Sequence, residues 1–425
     1  MYKCTIVNGW HDDNKGDCAI VLCTMRMLEQ RLQSTSFNIV SGYSLNKTEL
    51  PRAYRHIISE YPLTETAISL LPKFEHKGGV INPYLIAATY IIRSIYMTIT
   101  KDSFGEGNRL INESDVVISK GGHMLHCVKK RNVIHWLNLY NHLYPLILAR
   151  KAGVPYVFWG HSFGPFNDTL AYKFAAKIFL GAEIVGVRET ISHDIACQMG
   201  IPRKKIRLMP DPAFGILPKN SQKVEDILIK NLLETGNFLA ITVRSWGNKI
   251  DGSYDRYIEA IATIVNRLYH AGFCKKICIF VHVSGPTVRE NDSLASHDLY
   301  KKLAGLPVSL VDDDLSPEEA VAFYEKAKFL IGTRFHSVIF SLVAGTPVYA
   351  LSYFGPKALG IMKDIKMEAF VTDLSILNPD NIVKEILSID IDKMRYAILS
   401  AVRTLREKLY IEADYLAKIV NGSLT

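Results

Sequence analysis

The chain has 425 residues, of which 48% are hydrophobic and 22% charged. That length is comfortable for two domains with separate cores, and that composition excludes a disordered chain; no short-period repeat points to a solenoid. The formal net charge of +8 is spread along the chain, which favours anionic small molecules or an anionic membrane face. No partnership with nucleic acid is expected, because zinc-finger spacing, an RNA-binding aromatic motif and a dense basic stripe are all missing.

The first residues run straight into a strand pattern at Lys3–Val7, unlike a signal peptide. Further strands are predicted at Phe37–Ser41, Asp115–Ser119, Val154–Trp159, Glu183–Val187 and Ile206–Met209. Amphipathic helices are predicted between them at Cys18–Arg31, Ile134–Lys151 and Thr169–Leu180. The stretch Tyr84–Thr100 is the longest apolar run, but it is short for a membrane span and carries Arg93, so a buried or interfacial helix is expected. After a polar break at Pro218–Lys223, strands are predicted at Phe238–Val243, Lys276–Val281, Val308–Leu310, Phe329–Ile331 and Val348–Leu351. Helices are predicted at Tyr254–His270, Pro317–Lys326 and Ser337–Val343.

Apolar runs without alternation are strands buried on both faces, and their βαβ order implies parallel, doubly wound sheets. The expected architecture is α/β: two Rossmann-like domains facing a cleft, over residues 1–218 and 224–389. A helical tail over 390–425 is long enough to pack back on the first domain. The seven cysteines (Cys4, Cys18, Cys23, Cys127, Cys197, Cys274 and Cys278) include no C-x-x-C pair and read as reduced thiols of a cytoplasmic protein.

Ligands of open parallel sheets bind beyond the carboxyl ends of the strands. Polar residues gather there in this sequence. Asn14, Gly16 and Asp17 follow the first strand, Gly121-Gly122-His123 the strand near 119, His161-Ser162 the strand near 159, Arg188 the strand near 187 and Asp211 the strand near 209. In the second half Arg244, His282 and Arg334-Phe335-His336-Ser337 occupy the same kind of position. Helix-start amides favour an anion, Arg334 adds a planar clamp for carboxylate or phosphate, and His336 is placed to exchange a proton near neutral pH.

These landmarks, in this order, resemble the polysaccharide pyruvyl transferase family. The resembling pieces are Asn14-Lys15-Gly16-Asp17, Gly121-Gly122, His161-Ser162-Phe163-Gly164-Pro165, Val187-Arg188-Glu189, Pro210-Asp211-Pro212-Ala213, Val243-Arg244-Ser245-Trp246, and Arg334-Phe335-His336-Ser337 running on to Ala344-Gly345-Thr346-Pro347 and Tyr353. The resemblance implies a GT-B-like fold and a reaction that builds a pyruvate ketal on a sugar from phosphoenolpyruvate. It matches Arg334 and His336 to the donor-binding arginine and the catalytic histidine. Arg188 and Arg244 match basic positions for the donor's phosphate or carboxylate, with the division between them left open. His161 stands where many members carry Gln, and His123 where a third Gly is common.

Phosphoenolpyruvate is then a substrate, and no cofactor or metal is expected. The acceptor is a sugar of a surface-polysaccharide precursor, lipid-linked or nucleotide-linked, with the enzyme at the inner face of the membrane as one expectation. Three rival readings follow from the same residues. A GT-B nucleotide-sugar glycosyltransferase shares the fold and would want a ribose-binding carboxylate, for which Glu318-Glu319 is the candidate. Gly160-His161-Ser162-Phe163-Gly164 matches a nucleophile elbow, so a serine hydrolase with Ser162 is the second, although Gly164-Pro165 interrupts the helix such an elbow needs. A non-catalytic sugar-binding protein is the third. His11-Asp12-Asp13 and Asp312-Asp313-Asp314 read as solvated acidic loops rather than metal sites. Trp136, Tyr140 and Tyr144, at helical spacing, read as core rather than a sugar platform.

Overall fold

Strands that are apolar at every position can only sit between two layers, and the fold follows from that. Every residue of Val116–Lys120, Tyr156–His161, Ile184–Val187, Phe238–Thr242, Phe329–Gly332 and Val348–Ser352 is buried. The computed structural model describes residues 1–43, 47–71, 83–99, 105–247, 249–288, 290–353 and 357–422. The chain divides into two units. The first comprises Met1–Asp12, Ile20–Pro212 and Lys408–Thr425, and the second Asp13–Ala19 and Ala213–Glu407.

The sheet of the first unit runs in the order Glu65–Ala67, Thr35–Ser41, Tyr2–Gly9, Val116–Lys120, Tyr156–His161, Ile184–Val187, Ile206–Leu208, all parallel. The order reverses between Tyr2–Gly9 and Val116–Lys120, the switch point of a Rossmann-like sheet. Phe163 and Phe158 pack on Phe179, with ring centroids 4.5 and 4.6 Å apart. The helix Val133–Ala152 starts where Asn132 Oδ1 accepts from His135 N and stops at left-handed Gly153. Its Tyr140 stacks on Phe174, and Trp136 packs on the same ring, so this aromatic row is core.

The sheet of the second unit runs Val308–Val311, Lys276–Phe280, Phe238–Thr242, Phe329–Gly332, Val348–Ser352, Val371–Asp373, again all parallel. Its switch point lies between Phe238–Thr242 and Phe329–Gly332. Both units are therefore Rossmann-like α/β folds with doubly wound parallel sheets. The helix Ser253–His270 turns Tyr254, Tyr257, Ile261, Val265 and Leu268 into the core, the spacing of a single helix face.

Asp13–Ala19 belongs to the second unit although it is read early in the chain. Asn14 forms an antiparallel bridge with Val283, and Ser284 N donates to Asp13 O at 3.0 Å. The last helix, Ile391–Val420, is shared likewise. Within the second unit Arg406 donates to Phe214 O and Ile216 O, and within the first Glu412 holds Arg207 through two bonds of 2.7 and 2.8 Å. Asp12 is buried rather than solvated: its Oδ2 accepts from His56 N and Ile57 N at the start of the helix Arg55–Glu60. No group of three or more metal-ligating side chains occurs among the described residues.

Candidate active site

The strand Phe329–Gly332 ends at the switch point of the second unit, and the helix Phe335–Val343 begins three residues later with Arg334 as its extended N-cap. Arg334 Nε donates to both Asp292 oxygens, at 2.8 and 3.0 Å, and Nη2 lies 2.7 Å from Asp292 Oδ1. Nη2 also donates to Glu290 O. Burial pushes the Asp292 carboxyl up, against the pull of Arg334. One edge of the guanidinium is thus fixed, and Nη1 makes no hydrogen bond among the described residues.

Arg244 occupies the equivalent place beyond the neighbouring strand, Phe238–Thr242. Its guanidinium carbon lies 4.0 Å from the centroid of the Tyr353 ring, and its Nε is buried without a hydrogen-bond partner among the described residues. Arg244 N donates to Tyr257 Oη at 3.4 Å, and that hydroxyl lies 3.0 Å from Thr333 Oγ1. One phenol therefore ties together the ends of the two switch-point strands. Burial pushes Tyr257 up to about 12, so the phenol stays protonated.

His336 lies in the first turn of its helix, and Gly16 packs against its imidazole: a Cβ built on Gly16 would come within 2.0 Å of its Cγ. Asn14 and Asp17 bond to each other. Asn14 Nδ2 donates to Asp17 Oδ2 at 2.6 Å, and Asp17 N donates back to Asn14 Oδ1 at 3.4 Å. Lys15 is buried, with its ammonium 5.6 Å from the Phe280 ring centroid. His282 is fully buried; its Nδ1 lies 3.1 Å from Tyr324 Oη, and its Nε2 has no partner among the described residues. Burial first, then the charges of Lys15, His336 and Arg334, hold His282 well below its ordinary value, so it is a neutral imidazole. The second unit thus brings Asn14, Gly16, Asp17, Arg244, His282, Arg334, His336 and Tyr353 to one end of one sheet.

The remaining candidates belong to the first unit. Arg188 is fully buried; it pairs through Nη1 with Asp211 and donates from Nε to Ser162 Oγ at 2.8 Å. Its Nη2 is buried without a partner among the described residues. Ser162 Oγ donates in turn to Glu189 Oε2 at 2.8 Å, and Glu189 also accepts from Ser192, which receives Phe163 N at 2.7 Å. Ser162 is followed by the strand Phe163–Phe166, not by a helix, so the elbow geometry of a serine hydrolase is not formed. His161 Nε2 lies 3.1 Å from Ser119 Oγ and 3.0 Å from Ser119 O, and burial lowers it to about 3. His123 Nε2 contacts Gly164 O at 2.7 Å. Ser162 N donates to Gly122 O at 2.9 Å, and a Cβ on Gly121 would strike the Trp159 and Gly160 carbonyls. These residues pin two loops to one another.

Sequence reasoning gives no site role to Lys15 or Tyr257 and does not pair Asp292 with Arg334. Lys15 stands inside the Asn14–Asp17 landmark and reads as a helix-start lysine. Asp292 reads as part of a polar loop or helix start over residues 288–292, a candidate for acceptor contact. Only the fold brings it 42 positions along the chain to Arg334. Glu319, read as one of two ribose candidates, accepts from Ser316 N in a capping box and from Ser221 Oγ.

The profile described as polysaccharide pyruvyl transferase matches residues 14–355, from the first of these landmarks to just past the last. The chain belongs to the polysaccharide pyruvyl transferase family. It is 24% identical over 253 residues to the amylovoran biosynthesis protein AmsJ of Erwinia amylovora, covering 58% of this chain and 60% of that one. Among solved structures, Anabaena HepE in complex with UDP and glucose aligns over 100% of both chains, with a TM-score of 0.55 and 13% identity. The UDP-GlcNAc 2-epimerase of Methanocaldococcus jannaschii aligns over 93% of this chain and 94% of its own, with a TM-score of 0.59 and 11% identity. At such identities these two structures establish the shared GT-B-type fold of this family member and nothing of its chemistry.

Proposed function

We propose that this transferase moves the pyruvyl group of phosphoenolpyruvate onto a sugar of a polysaccharide precursor, closing a ketal and releasing phosphate. The observation that carries the reading is the pair Arg244 and Arg334, set beyond the two strands that flank one switch point, with His336 in the helix that follows. A small molecule with two anionic groups suits such a place, because two guanidinium groups match a carboxylate and a phosphate. The donor is consumed as a substrate, so no resident cofactor enters the proposal.

In this reading a proton goes to the methylene carbon of the donor, and a sugar hydroxyl attacks the carbon it leaves electron-poor, losing its own proton. A second hydroxyl then replaces the phosphate, giving up its proton as it bonds, and the phosphate departs with the two electrons of its C–O bond. His336 carries protons in these steps, and Arg334 and Arg244 offset the charge on carboxylate and phosphate. His282, held neutral, offers Nε2 without adding a third full charge. Arg188 has Nη2 to offer an anion in the first unit. The relative's part in amylovoran biosynthesis supports a surface-polysaccharide acceptor. Seven cysteines outside any disulfide support a cytoplasmic setting.

The test is phosphate release from phosphoenolpyruvate across a panel of lipid-linked and nucleotide-linked sugars, beside thermal shifts with phosphoenolpyruvate and with nucleotide-sugars. Release with one acceptor, and its loss in His336→Ala, is expected. Stabilisation by a nucleotide-sugar but not by phosphoenolpyruvate would overturn the reading in favour of a glycosyltransferase.

A further inference from the structure

The helix Pro83–Ile99 presents a row of large apolar side chains on its exposed face. It buries Tyr90 and Ser94, with Ala87 half-buried beside them, the i, i+3, i+7 stripe that faces the protein. Ser94 O accepts from Tyr144 Oη at 3.1 Å, which fixes that face on the helix Val133–Ala152. The opposite crest, at the same spacing, holds Leu85, Ala88, Ile92 and Tyr96. Leu85 and Ile92 are 67% and 68% exposed, and Ile91 and Ile95 on the flank are more than half exposed. Four large aliphatic side chains thus lie on the exposed side. Contiguous exposed apolar surface of this kind marks an interface.

Charge decides what covers it. The seventeen residues contain no carboxylate and one charge, Arg93, which is exposed. The supporting helix Val133–Ala152 is preceded by Lys129, Lys130 and Arg131, all exposed. Tyr84 and Tyr96, both at least half exposed, stand toward the two ends of the apolar face, the amphipathic residues preferred at headgroup depth. None of the described helices is long and apolar enough to cross a membrane. We propose that Pro83–Ile99 lies flat on an anionic phospholipid bilayer, with Leu85, Ile91, Ile92 and Ile95 among the acyl chains and Arg93 at the phosphates. The inference does not depend on the donor assigned above.

The experiment is co-sedimentation of the full chain with vesicles of equal parts phosphatidylglycerol and phosphatidylcholine, and with phosphatidylcholine alone, at low salt. The chain is expected to bind the anionic vesicles at least about tenfold more tightly than the neutral ones, as a few basic groups at a charged surface require. Leu85→Glu combined with Ile92→Glu is expected to lower that partition by more than about tenfold while leaving the melting temperature in place, since both positions are exposed. Equal binding by this variant, or no binding by the unmodified chain, overturns the proposal. So does light scattering that shows a dimer which the variant converts to a monomer, because the face would then belong to a second copy of the chain.

Discussion

Gly16 lies against the His336 imidazole with no room for a Cβ between them. Ala at this position suits the helix that begins at Lys15 better than Gly does, by about 1 kcal/mol of intrinsic propensity. Gly16→Ala is therefore a clean test, because helix propensity and site packing pull in opposite directions. Transfer activity is expected to fall by about a hundredfold, as a displaced reacting group requires. Unchanged turnover in a phosphate-release assay would show that His336 can move aside without cost.

Arg334 and Asp292 form a buried pair, and removing either partner strands a charge. Asp292→Asn and Arg334→Met are each expected to cost about 3–5 kcal/mol in urea unfolding. The double variant Arg334→Met with Asp292→Leu is expected to regain most of that stability and none of the activity. Activity in the stable double variant would remove Arg334 from the donor site.

Tyr257 offers a gentler lesion. Its hydroxyl connects Arg244 N to Thr333 Oγ1, and Tyr257→Phe deletes that connection while keeping the ring in the core. Steady-state kinetics should show a rise in KM for phosphoenolpyruvate of roughly three- to tenfold, the worth of one net hydrogen bond. An effect confined to the melting temperature would make Tyr257 a packing residue only.

Stability should fall in mild acid. His161 is held at about 3 and His282 well below its ordinary value, burial being the main cause of each. The unfolded chain takes up protons at these histidines from about pH 6.5 downward, whereas the folded chain excludes them. Their contribution to stability is thus whole above about pH 6.5 and is lost as pH falls toward the folded values. At pH 5.5 the loss is expected to be about 1.4 kcal/mol per histidine relative to pH 7.5, read from urea midpoints. His161→Gln should remove about half of the slope, and a flat profile in the unmodified chain would contradict the burial of both rings.

Both sheets were legible because their inner strands are unbroken apolar runs such as Val116–Lys120 and Phe329–Gly332. The edge strands Glu65–Ala67 and Val371–Asp373 were not: each is three residues long with a polar residue at two positions, whereas the equally short edge strand Ile206–Leu208 keeps two apolar ones. Thr169–Leu180 was read to the residue because Asp168 caps it by accepting from Leu170 N and Ala171 N. The candidate site was legible where a residue simply follows a strand, as Arg244 and Arg334 do. It was not legible where role depends on a distant partner. Nothing local to Arg188 announces that Asp211 and Ser162 will occupy two of its three nitrogens.

The second unit is discontinuous in the chain, and that shapes how the site comes into being. A fragment starting at Ala213 would carry Arg244, His282, Arg334 and His336 but lack Asn14, Lys15 and Gly16, so it could not complete the surroundings of His336. The order of synthesis imposes the same delay. Gly16 leaves the ribosome roughly 320 residues ahead of His336, which at about 5–20 residues per second is a wait of roughly 16–64 s. For that interval the first helix must hold a glycine open for a ring that has not yet been made.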